Sequence, residues 1–245
     1  MSPAQLPLRI QLRDASVFSS YYPGRNRAVV EALLALDTLR SSASAPTTCI
    51  WLHGAVSLGK THLLQALCAR SGRNPLAGPA AYVPLREVGG MGADLLSGYG
   101  ESALVCLDDA EAIAGDQGWE RALFRLHQEL DERGGRLVVS GRLPPAALGF
   151  RLRDLASRLN GGLVLSLQPL ADEEQLAALQ WRAQLRGFEL SAETAGFLLR
   201  RLPRDMASLC AFLDELDVAS LAAQRRVTVP FLRDVLGAAG GPVGD

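Results

Sequence analysis

An apolar run, Cys49-Ile-Trp-Leu-His53, leads directly into Gly54-Ala-Val-Ser-Leu-Gly59-Lys60-Thr61, and a helix-forming stretch follows over 60–70. That order leaves few folds open. A short strand, a G-x-x-x-x-G-K-T loop and a helix make a phosphate-binding turn. Its glycines let successive backbone N–H groups point inward, and the helix N-terminus adds its positive end. In such a loop Gly54, Ser57 and Gly59 shape the cradle, Lys60 reaches the β- and γ-phosphates, Thr61 ligates Mg2+ and His62 flanks the site. Lys60 is the single lysine beside 24 arginines. It falls where a compact ammonium, not a planar guanidinium, is required.

The pattern around this loop alternates strand and helix. Residues 80–84, 103–107, 136–140 and 162–167 read as further strands, apolar nearly throughout. Helical spacing of apolar residues covers 28–40, 118–133 and, more briefly, 154–159, with a weak helix before Gly98. Strands of this kind, alternating with helices, imply a parallel sheet covered on both faces. The expected fold class is α/β, a five-stranded parallel P-loop sheet over 15–168. After Pro169 only helices are expected. Asp172 would cap one over 172–186, Ser191 one ending at Arg201, and a third spans 205–222. The fourth follows Thr228, with Pro230 in its first turn, and ends at Gly237. These make a small all-helical domain over 169–238. Residues 1–14, with Pro3 and Pro7, read as an extended tail and 239–245 as a disordered one.

Composition excludes several classes. A net charge of −1 argues against a protein that grips DNA by bulk electrostatics. No apolar run approaches the ~18 residues of a membrane span, and the N-terminus lacks a charged start followed by an apolar core. Cys49, Cys68, Cys106 and Cys210 are widely spaced within apolar runs, the pattern of buried reduced thiols in a cytoplasmic protein. His53, His62 and His127 lack metal-ligand spacing.

A phosphate loop needs an acidic partner at the end of a neighbouring strand. The run ending Cys106-Leu107 is followed by Asp108-Asp109. Asp108 would hold Mg2+ through water, and Asp109 sits where such enzymes carry the acid that activates the attacking water.

These motifs, together with FSSYYPGRN (18–26), DLASRL (154–159), LRGFEL (185–190) and QRRVTVPFLRDVL (224–236), give the chain a resemblance to a known family over about residues 4–237. It resembles the AAA+ ATPases of the DnaA clade, and among them the DnaA-homologous regulatory inactivators of replication initiation. The resemblance makes the helical domain a lid. It places Phe18, Tyr22, Pro23 and Gly24 along the nucleotide base, where aromatic and Pro-Gly residues suit an apolar slot for adenine. Arg158 matches the family's arginine finger, which reaches ATP on a neighbouring subunit with a permanently charged fork. Gln5, Leu6, Leu8 and Ile10 match the peptide that binds the DNA polymerase III sliding clamp (β subunit), with Arg9 where a proline or aromatic is usual. Ser140-Gly141-Arg142 falls at the first sensor, where Gly141 or Arg142 replaces the customary acid. Ala207 stands at the second-sensor arginine, and Arg204 lies three residues earlier.

What the resemblance implies is a regulator that carries ADP or ATP with Mg2+. It docks on the DNA-loaded clamp and contacts DNA only through it. Arg158 then stimulates hydrolysis of DnaA-bound ATP, which prevents re-initiation. DnaA and the clamp are the expected partners. A homo-oligomer stays open, and no membrane is expected. The missing second-sensor arginine points to an activator in trans, not an efficient ATPase. Two alternatives stand beside it. A DnaA-like initiator or helicase loader would carry a further helix-turn-helix domain about where this chain ends. A free-standing P-loop ATPase is permitted by Lys60, Thr61, Asp108 and Asp109.

Overall fold

The computed structural model describes residues 16–36, 49–73, 78–203, 205–223 and 226–238. The chain divides into two compact units, one through Gln168 and the other from Pro169.

The first unit is built on five strands: β1 (Cys49–His53), β2 (Ala80–Pro84), β3 (Leu104–Asp108), β4 (Arg136–Gly141) and β5 (Leu163–Ser166). All pair in parallel, in the order β2-β3-β4-β1-β5. Helices α1 (Arg27–Ala35), α2 (Lys60–Gly72), α3 (Leu85–Val88), α4 (Gln117–Glu132) and α5 (Arg153–Gly161) connect and cover them. Because strand side chains alternate, each strand feeds two cores. Trp51, Val105, Leu107, Leu137 and Val139 pack with Leu123, Leu126 and Leu130 of α4 and Leu155 and Leu159 of α5. Ile50, Leu52, Cys106 and Val138 pack on the other side with Val29 and Leu33 of α1 and Leu63, Leu64 and Leu67 of α2. That double burial is why the central strands read as nearly unbroken apolar runs.

The departures from expectation have local causes. β5 is an edge strand with β1 as its neighbour, so Leu163 is 40% exposed despite its apolar sequence. Glycines 89, 90 and 92 break the expected helix before Gly98 into α3 and two short 3₁₀ turns. α2 runs on to Gly72. Residues 37–40 of the first expected helix lie outside the described residues.

The second unit holds α6 (Asp172–Gln184), α7 (Ala192–Arg201), α8 (Met206–Ala223) and α9 (Val229–Ala238). They close around Leu179, Leu198, Leu209, Leu213, Phe231 and Leu232. Ser191 caps α7 as its position predicts, accepting the Thr194 N–H at 3.1 Å. Asp172 does not cap α6 but lies in its first turn; Glu174 Oε2 accepts the Ala171 N–H at 2.8 Å instead. Gly237 falls inside the last turn of α9. No described helix is long and apolar enough to cross a membrane. All four cysteines are free, and Cys210 is only half-buried.

Candidate phosphate-binding site

Strand register gathers the chemistry at one end of the sheet. His53, the last residue of β1, pairs with Gly141, and Leu107 pairs with Val139. The Gly54–Thr61 loop and the Asp108-Asp109 turn thus emerge on either side of the end of β4. This is the carboxyl end, where open parallel sheets bind ligands.

The loop is fixed by close approaches. Gly59 has φ +88, a left-handed conformation that favours glycine, and the Tyr21 ring lies directly over its Cα. Tyr21 is buried and its hydroxyl donates to Leu58 O at 3.2 Å. Lys60 is 7% exposed, and its ammonium donates to Gly54 O and Ala55 O, both at 2.8 Å. Burial holds the Lys60 pKa below its ordinary value; Glu111, Asp109 and Asp108 push it back up and Arg142 pushes it down. Thr61 and Ser57 are exposed at the mouth.

Asp108 is 3% exposed. Tyr82 donates to its Oδ2 at 2.8 Å, and Ser140 Oγ donates to its Oδ1. Burial, then the charge of Asp108, raises the Tyr82 pKa well above its ordinary value. Ser140 Oγ also accepts the Asp109 N–H at 3.0 Å. The side chain of Asp109, half-buried, accepts from Arg86 Nε at 2.8 Å. Each Asp108 oxygen keeps a second acceptor position, and with the Thr61 hydroxyl it offers the all-oxygen ligands that Mg2+ takes.

Residues 172–236 match the family model described as "Hda, lid domain". The second unit therefore carries an Hda-type lid domain. The fold of the chain is similar to domain III of the replication initiation protein DnaA from Thermotoga maritima. The TM-score there is 0.75 at 21% identity, covering 92% of this chain and 97% of that one. It is also similar to AMPPCP-bound DnaA from Aquifex aeolicus (TM-score 0.71, 21% identity, 85% of this chain and 67% of that one). The RuvB Holliday junction branch migration motor of Thermotoga maritima matches more distantly, at TM-score 0.61 and 16% identity, over 86% of this chain and 69% of that one.

In the first unit, residues 18–24, the segment expected along the base, lie beside the phosphate loop. Phe18 packs on the core shared by α1 and α2, and Tyr22, Pro23 and Gly24 are half-buried. His62 Nε2 lies 3.0 Å from Val17 O, to which it donates, and so ties this segment to the start of α2. Two residues here escaped the sequence reading. Tyr21 faces the loop, but Tyr21 and Tyr22 are adjacent and nothing local says which points inward. Asn26 makes a reciprocal pair with Gln168, its Nδ2 donating to Gln168 O at 2.9 Å and its Oδ1 accepting the Gln168 N–H at 2.8 Å. The partner is 142 residues away, beyond any local pattern.

Arg158 is exposed on α5, with its guanidinium carbon 5.0 Å above the Phe124 ring of α4. α5 is positioned by an unforeseen residue, Glu120, which is fully buried. Its carboxylate accepts the N–H groups of Gly115 (2.7 Å), Arg151 (3.1 Å) and Leu152 (2.7 Å). Ala207 lies in the first turn of α8. Arg204 and the tail residues Gln5, Leu6, Leu8, Arg9 and Ile10 lie outside the described residues.

Proposed function

We propose that this Hda-type protein is a DnaA-related regulator of replication that acts on ATP held by another subunit. One observation carries the reading: an Hda lid accompanies a sheet unit with a formed phosphate loop and an exposed arginine in the DLASRL helix. Nucleotide, ADP or ATP, binds along Phe18, Tyr22, Pro23 and Gly24 with its phosphates in the loop of Gly54, Ser57, Gly59, Lys60, Thr61 and His62. Lys60 leaves the Gly54 and Ala55 carbonyls for phosphate oxygens; its partial burial strengthens that attraction. Thr61 and, through water, Asp108 would hold Mg2+, which would supply neutralisation of phosphate charge.

The tail residues Gln5, Leu6, Leu8 and Ile10 dock on the sliding clamp, and DNA is contacted through it. Arg158 then enters the ATP site of DnaA, where a guanidinium stabilises charge spreading onto the γ-phosphate oxygens. Fingers of this kind contribute ~10³–10⁵ in rate. Ala207, with no side chain to reach phosphate, supports slow turnover of the protein's own nucleotide.

The test is to incubate ATP-loaded DnaA with DNA-loaded clamp and this protein and to follow ADP formation. Arg158→Ala is expected to remove the stimulation while leaving nucleotide binding intact. Stimulation equal to wild type would show that Arg158 is not the finger. Deleting residues 1–10 is expected to abolish the dependence on clamp.

A further inference from the structure

In the second unit three exposed arginines converge on one short stretch of α7. The guanidinium carbon of Arg201 lies over the Phe197 ring, 5.7 Å from its centroid, and that of Arg233, from α9, lies over the same ring at 5.8 Å. The two charges are therefore no more than about 12 Å apart. Arg200 joins them. Its Nη1 sits 3.4 Å from the point where a Cβ on Gly196 would stand, so its side chain lies back along α7 beside Phe197. Among the described residues, neither Arg200 nor Arg233 has a carboxylate within ion-pair distance.

Packing fixes this cluster. Phe197 and Leu198 of α7 and Phe231 and Leu232 of α9 enter the core of the unit, while Arg233 stays on the outside of α9. Arg200 and Arg201, in the last turn of α7, also complement the negative end of that helix. That local role does not extend to Arg233, which stands in the middle of α9. A guanidinium lying over an aromatic face keeps its in-plane N–H donors for another molecule. Among the described residues of this unit the exposed large apolar side chains are Leu185, Val218 and Leu221, none of them on α7 or α9. A protein partner would need such anchors at the centre of its interface, so this surface fits a partner held by charge. Glu193 and Asp234 are the acids of the two helices, and they limit the patch to a few positive charges.

We propose that this face of the lid is a direct contact for the phosphate backbone of duplex DNA, made by Arg200, Arg201 and Arg233, in addition to the DNA reached through the clamp. The contact depends on neither the phosphate loop nor Arg158. Duplex DNA carries about one charge per 1.7 Å of axis, so guanidinium groups within about 12 Å of one another meet neighbouring phosphates together. Each planar fork can donate two N–H groups to phosphate oxygens. Contacts of this kind fix orientation and carry no sequence information. Three of them make a weak hold, in keeping with a net charge of −1, and steady the lid on DNA to which the clamp already brings the protein.

The test follows the anisotropy of a short fluorescein-labelled duplex of arbitrary sequence, titrated with the full chain and no clamp at about 50 to 200 mM salt. Three phosphate contacts give a slope of log K against log salt near about −2.7, an affinity loss of about 40-fold over that range. Arg201→Gln combined with Arg233→Gln is expected to flatten the slope to about −0.9, a loss of about 3- to 4-fold. Arg201→Lys combined with Arg233→Lys keeps both charges and is expected to restore the wild-type slope. Arg200→Gln leaves the Phe197 ring untouched and is expected to flatten the slope by about 0.9, which keeps the test open should the double glutamine variant fail to fold. No duplex binding by wild type at the lowest salt, or a wild-type slope in a folded glutamine variant, would overturn the contact. So would capture of a polyglutamate peptide through the same arginines without binding of the duplex, which would mark the face as a site for an acidic protein.

Discussion

Glu120 offers the sharpest test of how α5 and its exposed Arg158 are positioned. It lies on α4 with no exposure, and its two oxygens serve three backbone N–H groups. Two of these, from Arg151 and Leu152, belong to the chain entering α5. Leu152 is the residue flanking that helix, and no side chain caps it. Glu120→Gln keeps the shape but removes the charge and turns one acceptor into a donor. With the amide oxygen placed at Oε1, the amide NH2 faces the Leu152 N–H, donor against donor. One charge-assisted bond worth about 1.5–3 kcal/mol is lost, and two others fall to neutral strength. The expected loss of stability is about 3 kcal/mol. Urea unfolding followed by tryptophan fluorescence measures it, since Trp119 adjoins Glu120 and Trp51 lies in the same core. A change below about 0.5 kcal/mol, the size of an ordinary surface substitution, would refute the assignment. Because α5 carries Arg158, the proposed function further expects this variant to retain nucleotide binding and to lose stimulation of DnaA-bound ATP hydrolysis.

The remaining predictions are briefer. Gly59→Ala forces a side chain into a left-handed conformation, with its Cβ 2.7 Å from Tyr21 Cε2. The combined cost is about 2–5 kcal/mol, read as a lowered melting temperature and lost ATP binding; an unchanged melt would mean that the loop is not held by Tyr21. His127 is buried, and burial lowers its pKa below 6.5, with Arg158 lowering it further and Asp131 opposing. The unfolded chain therefore takes up the proton first, so His127 contributes stability above about pH 6.5 that is lost as pH falls toward its lowered folded value. His127→Gln is expected to flatten the decline in melting temperature between pH 7.5 and 5.5, and parallel curves for the two proteins would contradict this.

The parts of the site legible in the sequence are those whose partners lie nearby. Gly54, Gly59 and Lys60 act within one turn of chain, and Asp108 is marked by the apolar strand before it. The fold was legible for a related reason: strands buried on both faces show it residue by residue, as 49–53 and 104–108 do. β5 is the instructive exception. Its apolar run resembles a central strand, but strand order comes from the crossover connections, and these leave β5 at an edge. Glu120 was not legible because a glutamate on an amphipathic helix normally faces water. Its inward turn is set by backbone N–H groups about 31 residues later.

The arginines divide along the same line, and here sequence alone is weakest. One lysine among 24 arginines is conspicuous, whereas one arginine with a special role among 24 is not. Arg86, Arg142 and Arg158 are all exposed and similar in composition terms. What separates them is the surface beneath each guanidinium. Arg86 and Arg142 rest on carboxylates of their own phosphate site, which compensate their charge internally. Arg158 rests on the Phe124 ring. An aromatic face holds a guanidinium without using its in-plane N–H donors, so the fork stays open to oxygens supplied by another molecule. On that physical ground Arg86 and Arg142 are engaged within their own unit, whereas Arg158 presents its fork outward, as the proposed role in trans requires.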